Sequence, residues 1–141
     1  MAKRIHSFMR IAAVTALAAS YPQRLGSAAP PKSPCAEAQT QLAMSICWSN
    51  LAKNRERRVE TRFSQLAAKL DRKNYPERAA AFEESQAKWR AYRDAHCRAV
   101  ERLYGEGSTA PMQGASCRVR LAERREAELK SILSDLAGLA N

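Results

Sequence analysis

Apolar residues recur along the chain at spacings of three and four, which is the period of an amphipathic α-helix. The first such stretch begins after Thr40, a suitable helix N-cap, and runs to Lys73 without proline or glycine. We therefore predict one long first helix. Its middle, residues 53–58, has no apolar side chain, and this segment is either a solvated face or a looser binding patch. The apolar positions are Met44, Cys47, Trp48, Leu51, Val59, Phe63, Leu66 and Leu70.

The second stretch contains a regular line of residues at helical spacing. Tyr75-Pro76 interrupts the pattern before it, because the residue preceding proline is disfavoured in a helix. We predict a second helix over 77–104, antiparallel to the first, with Trp89 meeting the middle of the first helix. Tyr92 and His96 lie beside the line. The residues on the line are Phe82, Gln86, Trp89, Arg93 and Cys97.

A glycine-rich segment, residues 105–114, is predicted to be a loop. A third helix is then expected to start near Ser116. Its apolar set is Val119, Leu121, Ala122, Leu129, Ile132, Leu133 and Leu136. The predicted fold class is all-α, an antiparallel helical hairpin plus a third helix, resembling a three-helix bundle stapled by disulfides.

The N-terminus has the pattern of a secretory signal peptide. Basic residues precede an uncharged run, residues 11–19, which is too short to span a membrane. We predict a signal peptide over 1–28, although cleavage after Ser20 is an alternative, and so is a soluble amphipathic tail. A proline-rich linker follows over 29–39, then a helical domain over 35–136 and a frayed end over 137–141. The mature protein is expected in the periplasm or outside the cell.

Four cysteines in an exported domain indicate two disulfides, with free thiols as the alternative. An extended segment before the first helix can bring Cys35 to Cys47, and Cys97–Cys117 would then close the glycine-rich loop. The competing pairing joins Cys47 to Cys97 and Cys35 to Cys117. Spacing alone leaves both open.

The formal net charge is +10. Removal of the predicted signal peptide leaves 20 basic and 14 acidic residues, a net charge of +6. The two signs are interspersed, which disfavours nucleic-acid binding. We expect no cofactor, no metal and no catalysis, because His96 is the one histidine left in the mature chain. Arg93 and Asp94 are consecutive, so we expect their side chains to point to different sides of the helix. We expect Arg93 to bind Glu56 or Glu60 of the first helix.

One set of residues forms a recognisable pattern along the three predicted helices. Besides the four cysteines, it consists of Thr40, Gln41, Met44, Gln86, Trp89, Tyr92, Arg93, Asp94 and Arg124 or Arg125. This pattern resembles the N-terminal domain of the lysozyme inhibitor LprI family. The resemblance implies a small exported helical domain that inhibits lysozyme by binding it. This chain departs from the family pattern at Ala43, Ser45, Ala52, Glu56 and Ala122.

Two kinds of partner surface follow from these expectations. A cationic lysozyme would favour the acidic residues at the start of the second helix, Glu77, Glu83 and Glu84, or those of the third, Glu123, Glu126 and Glu128. A scaffold that binds an anionic envelope component would instead use arginines of the first two helices. These are Arg55, Arg57, Arg58, Arg62, Arg90, Arg98 and Arg102. Both sets also fit ordinary solvated helix faces. The sequence predicts no oligomeric state.

Overall fold

Three long α-helices form the regular structure of residues 33–138, which are the residues that this computed structural model describes. They are α1, Gln41–Lys69, α2, Pro76–Leu103, and α3, Ala110–Gly138. The described residues contain no β-strand, so the predicted all-α class is confirmed. The predicted signal peptide, the start of the linker and residues 139–141 lie outside the described residues.

Contacts between side chains give the directions of the helices. Gln41 lies near Met112, and Arg58 pairs with Glu126, so α1 and α3 run parallel. Cys97 of α2 bonds to Cys117 of α3, and the earlier residue Gln86 contacts the later residue Arg125, so α2 and α3 run antiparallel. The chain therefore runs up, down and up, as the predicted antiparallel hairpin requires.

The core lies along α3. Val59 and Leu66 of α1 pack with Ala122 and Leu129 of α3, and all four are fully buried. The larger side chains at the edge of this cluster are Phe63, Phe82, Trp89, Ile132, Leu133 and Leu136. Both α1 and α2 pack mainly on α3 and approach each other at few points. The two helices of the predicted hairpin are therefore joined mainly through α3, and Trp89 packs against the cluster that contains Val59 of α1.

Two helix boundaries differ from prediction. α1 ends at Lys69, four residues early, where Asn74 donates both its backbone N–H and its side-chain amide to Asp71. α3 begins at Ala110, so the loop is only 104–109. Pro111 fits the first turn of a helix because the N–H that it lacks would have no intrahelical partner there.

The structure contains the local pair of disulfides. Cys35 bonds to Cys47 with their Cα atoms 6.0 Å apart, and Cys97 bonds to Cys117 with theirs 5.5 Å apart. The first holds the segment before α1 against that helix, and the second links α2 to α3. In the chain-entropy model each closure contributes roughly 3 kcal/mol.

Gly114 marks the closest approach of α2 to α3. A Cβ atom at this position would lie 2.7 Å from Oε2 and 3.2 Å from Cβ of Glu101. A side chain there cannot be accommodated by moving only the carboxylate, since the Cβ atom is fixed to the helix. The glycine thus sets how near α2 comes to this end of α3.

We predict that Gly114→Leu lowers the free energy of unfolding by about 1–3 kcal/mol, because overpacking separates α2 from α3. Gly138→Leu is the matched control in the same helix, since no atom lies within 4 Å of a Cβ built there. Chemical denaturation of both variants measures the difference. Equal stability of the two variants would contradict the close approach.

Candidate functional site

The residues of the predicted line face the interior. Gln86 and Cys97 are buried, while Trp89 and Arg93 are partly buried. Tyr92 lies outside, where its ring stacks on His96 with centroids 5.3 Å apart. Most residues of this line therefore contact the other helices and are not exposed to a ligand.

The first polar group on this line is an amide held by charged neighbours. Arg125, itself nearly buried, donates from Nε to Oε1 of Gln86 at 3.2 Å, and Gln86 donates to Glu60 at 3.3 Å. Arg90 makes two hydrogen bonds to the same Glu60 carboxylate. One continuous network therefore joins α3, α2 and α1.

A second network lies nearer the disulfides. Arg118 donates to Asp94 at 2.7 Å and to Glu56 at 3.2 Å. Arg93 pairs with Glu56 at 3.5 Å, as predicted, and its guanidinium lies over the ring of Trp89. Arg93 also donates to Asp94 at 3.0 Å, so the prediction that these neighbours diverge is wrong. The long arginine side chain bends back to reach the adjacent carboxylate.

These contacts shift the pKa values of the charged groups. Hydrogen bonds from Arg90 lower the pKa of Glu60. Burial acts to raise the pKa of Asp94, but Arg93 and Arg118 outweigh it and hold the pKa below its ordinary value. Burial acts to lower the pKa of Arg118, and its two carboxylate partners raise it overall. All of these groups therefore stay charged at neutral pH.

Sequence reasoning missed Arg118 and did not settle on Arg125. Both lie at spacings of three and four with Ala122 and Leu129 on the buried side of α3. The signal in the sequence was an arginine among the apolar positions of α3, since a buried charge needs a partner on another helix. The apolar pattern was visible, but the carboxylate and amide partners on two other helices were not.

The first part of the family motif lies at the start of α1. The Thr40 side chain accepts a hydrogen bond from the Ala43 backbone N–H at 3.1 Å, as an N-cap does. Gln41 lies beside Met112, and Met44 lines a cavity between α1 and α3. These residues stabilise the helix and its packing.

The acidic residues proposed for partner binding at the start of α2 are exposed, and each lies near a cation. Glu83 pairs with Arg72 at 2.6 Å, Glu84 with Lys88 at 2.5 Å, and Glu77 with Arg78 at 3.9 Å. The acidic residues of α3 are similarly paired, in part with arginines of α1. Neither acidic set presents unpaired negative charge.

The arginine candidates are divided in the same way. Arg55 pairs with Glu123 at 3.2 Å and Arg58 with Glu126 at 2.8 Å. Within residues 33–138, Arg57 has no ion pair and points to solvent. Arg55, Glu56 and Arg58 of this charged segment thus contact α3. Lys53, Asn54 and Arg57 are exposed, so the segment is in part the predicted solvated face.

Neither a metal site nor a membrane-spanning helix is found in the described residues. Residues 33–138 hold no group of three or more histidine, cysteine, aspartate or glutamate side chains suited to a metal ion. None of the three helices there combines the length and the apolar character needed to cross a bilayer.

The geometry defines a class: a small, disulfide-linked, three-helix protein in which most of the motif residues contribute to the helices and to the contacts between them. The family model for the lysozyme inhibitor LprI matches residues 33–129 of the chain. The chain belongs to this family, and the resemblance found in the sequence is confirmed. Neither the curated proteins nor the solved structures gave a match.

We predict that Arg125→Met lowers the free energy of unfolding by about 1–3 kcal/mol, because the substitution leaves the buried carbonyl of Gln86 without its donor. Arg124→Met, at the exposed neighbouring position, should change it by no more than about 0.5 kcal/mol. Urea denaturation compares the two variants. Equal losses would show that the network does not stabilise the fold.

We also predict that stability falls in acid through Glu60 and Asp94. Their pKa values are lowered in the folded protein from 4.5 and 3.8, so their stabilisation is complete above these values and is lost as pH falls through the folded pKa values. Denaturation from pH 7 to pH 2 measures the slope. Glu60→Gln/Asp94→Asn should flatten the fall below about pH 4.5, and an unchanged slope would refute this origin.

Proposed function

We propose that the chain is an exported protein that inhibits lysozyme by binding it and catalyses no reaction. Membership of the LprI family across nearly all of the described residues carries this proposal. The two disulfides add support, since such bonds persist in oxidising compartments outside the cytoplasm. In this proposal the predicted signal peptide directs export to the periplasm or the medium.

Inhibition requires only that the bound chain cover the cleft in which lysozyme holds its polysaccharide. Glycoside hydrolysis depends on two carboxyl groups that flank the scissile bond. A protein seated over these groups excludes the substrate without reacting. The internal networks give the inhibitor a rigid shape, which reduces the entropy that binding would otherwise cost.

An anionic component of the cell envelope is the second partner considered. Three arginines that this hypothesis would use, Arg55, Arg58 and Arg90, pair with carboxylates of this same chain. Binding a polyanion through them would break contacts between helices. Arg57, Arg98 and Arg102 make no ion pair within residues 33–138, so the preference for a protein partner rests on the family match.

The first test measures inhibition of several lysozymes by the oxidised mature chain at low and high salt. Common animal lysozymes are cationic, as is the mature chain, so salt should screen their mutual repulsion and leave inhibition unchanged or stronger. Binding to an anionic polymer would weaken steeply instead. Equimolar complex formation, measured by calorimetry, should accompany inhibition.

The control in this assay is the chain reduced and alkylated at its four cysteines. It should lose most inhibition if a fixed shape is required, while its composition and charge stay nearly the same. Absence of inhibition by the oxidised chain toward every lysozyme tested, at both salt concentrations, would refute the proposed function.

A further inference from the structure

Both disulfides lie at one end of the helical bundle. α1 and α3 begin at this end and α2 finishes there, as the contacts Gln41–Met112 and Cys97–Cys117 show. We refer to this end, formed by residues 35–52 and 98–117, as the disulfide end. The other helix ends lie at the far end of a bundle about 43 Å long, given 29 residues in each of α1 and α3.

Large apolar side chains are exposed mainly on the disulfide end. Among the described residues, six such side chains are exposed, and four of them belong to this end. Leu103 is 83% exposed and Tyr104 49%, where α2 turns toward α3, while Leu42 is 71% exposed and Ile46 53% on α1. Isolated exposed apolar residues are ordinary, but their concentration at one end indicates an interaction surface.

The α1 side of this surface borders an open space. Leu42 and Ile46 are at helical spacing with Ser49, so they share one side of α1. Ser49 lines a cavity of about 350 Å³ whose other walls include Glu101 of α2 and Gly114 of α3. The apolar pair therefore stands on the side of α1 that opens toward α2, where the two helices are not in close contact.

The turn after α2 is held in place by covalent and local contacts. Gly105 has φ +64°, a conformation that L side chains rarely adopt, and its N–H bonds to the Arg102 carbonyl at 3.1 Å. The Cys97–Cys117 disulfide closes the segment that contains the turn. Leu103 and Tyr104 are thus presented on a braced turn, and little ordering is needed when a partner binds.

Charge is distributed unequally between this end and the remainder of the bundle. The disulfide end holds three acidic and two basic residues, a net charge of −1. Residues 53–97 and 118–138 hold 17 basic and 11 acidic residues, a net charge of +6. Lys53, Glu56 and Arg118 line the cavity at this end and together add one positive charge, so the two signs balance there. A cationic protein that approaches the disulfide end therefore meets no large local excess of positive charge.

We propose that lysozyme docks on the disulfide end, with Leu103 and Tyr104 as its main contacts. This inference rests on the proposed function and names the surface that performs it. Screening over about 8 Å at physiological ionic strength reduces the repulsion from the basic remainder, much of which lies farther than this along the helices. The opposite end also has an apolar cavity, lined by Phe82 and Leu136, but Tyr75 is the one exposed large apolar side chain of the described residues at that end, against four at the disulfide end.

The first experiment compares two tyrosines of similar exposure. Tyr104 is 49% exposed on the disulfide end and Tyr92 is 54% exposed in the basic region. Tyr104→Ala should weaken binding to the lysozyme that the wild-type chain inhibits best by roughly tenfold or more, as removal of a central aromatic contact does. Tyr92→Ala should bind as wild type does. Both variants should keep the wild-type unfolding midpoint.

The second experiment makes the same charge reversal at two sites. Glu106→Lys on the disulfide end should slow association several-fold at low salt, and Glu77→Lys near the opposite end should slow it less. Surface plasmon resonance at low and physiological salt gives the rates, and added salt should reduce the difference.

The outcomes separate the two proposals. Equal affinities for Tyr104→Ala and Tyr92→Ala, or a loss confined to Tyr92→Ala, would overturn the docking surface while wild-type inhibition still upheld the proposed function. A wild-type chain that bound no lysozyme would refute the function and the assignment of this surface together.

Discussion

The rest of the structure depends on how α3 packs against the other two helices. Its buried face combines small residues with a few larger ones, and Ala122 allows close packing beside Leu129. α1 and α2 then reach α3 from two directions and are linked to each other chiefly by charged side chains such as Glu60 and Arg90. This arrangement leaves the space between α1 and α2 partly open.

The sequence predicted the features that depend on local spacing. The Thr40 cap, three long helices and the inward line through Gln86 and Cys97 follow from helical periodicity. The central place of α3 did not follow, because small buried residues such as Ala115 resemble surface alanines in a sequence. The Arg93–Glu56 pair was predicted, but the roles of Arg118 and Arg125 were missed, since contacts between distant residues depend on helix register.

The departures from the family pattern acquire a physical meaning in this structure. Ala52 and Ala122 are buried, and Glu56 belongs to the network with Arg118. Substitutions at these positions therefore act on packing and on contacts between helices. Ala43, another departure, is exposed on the disulfide end next to Leu42, so one of the five departures does lie on the proposed docking surface.

The net charge of the mature chain is a weaker objection to lysozyme binding than it first appeared. Most of the basic residues contribute to the body of the bundle, where several neutralise carboxylates on neighbouring helices. Electrostatic repulsion between proteins depends on the charges within about one screening length of the interface. At the disulfide end the two signs nearly balance. In the proposed complex, apolar contacts on the braced turn around Leu103 would therefore determine the affinity, because no large like-charge repulsion opposes them locally.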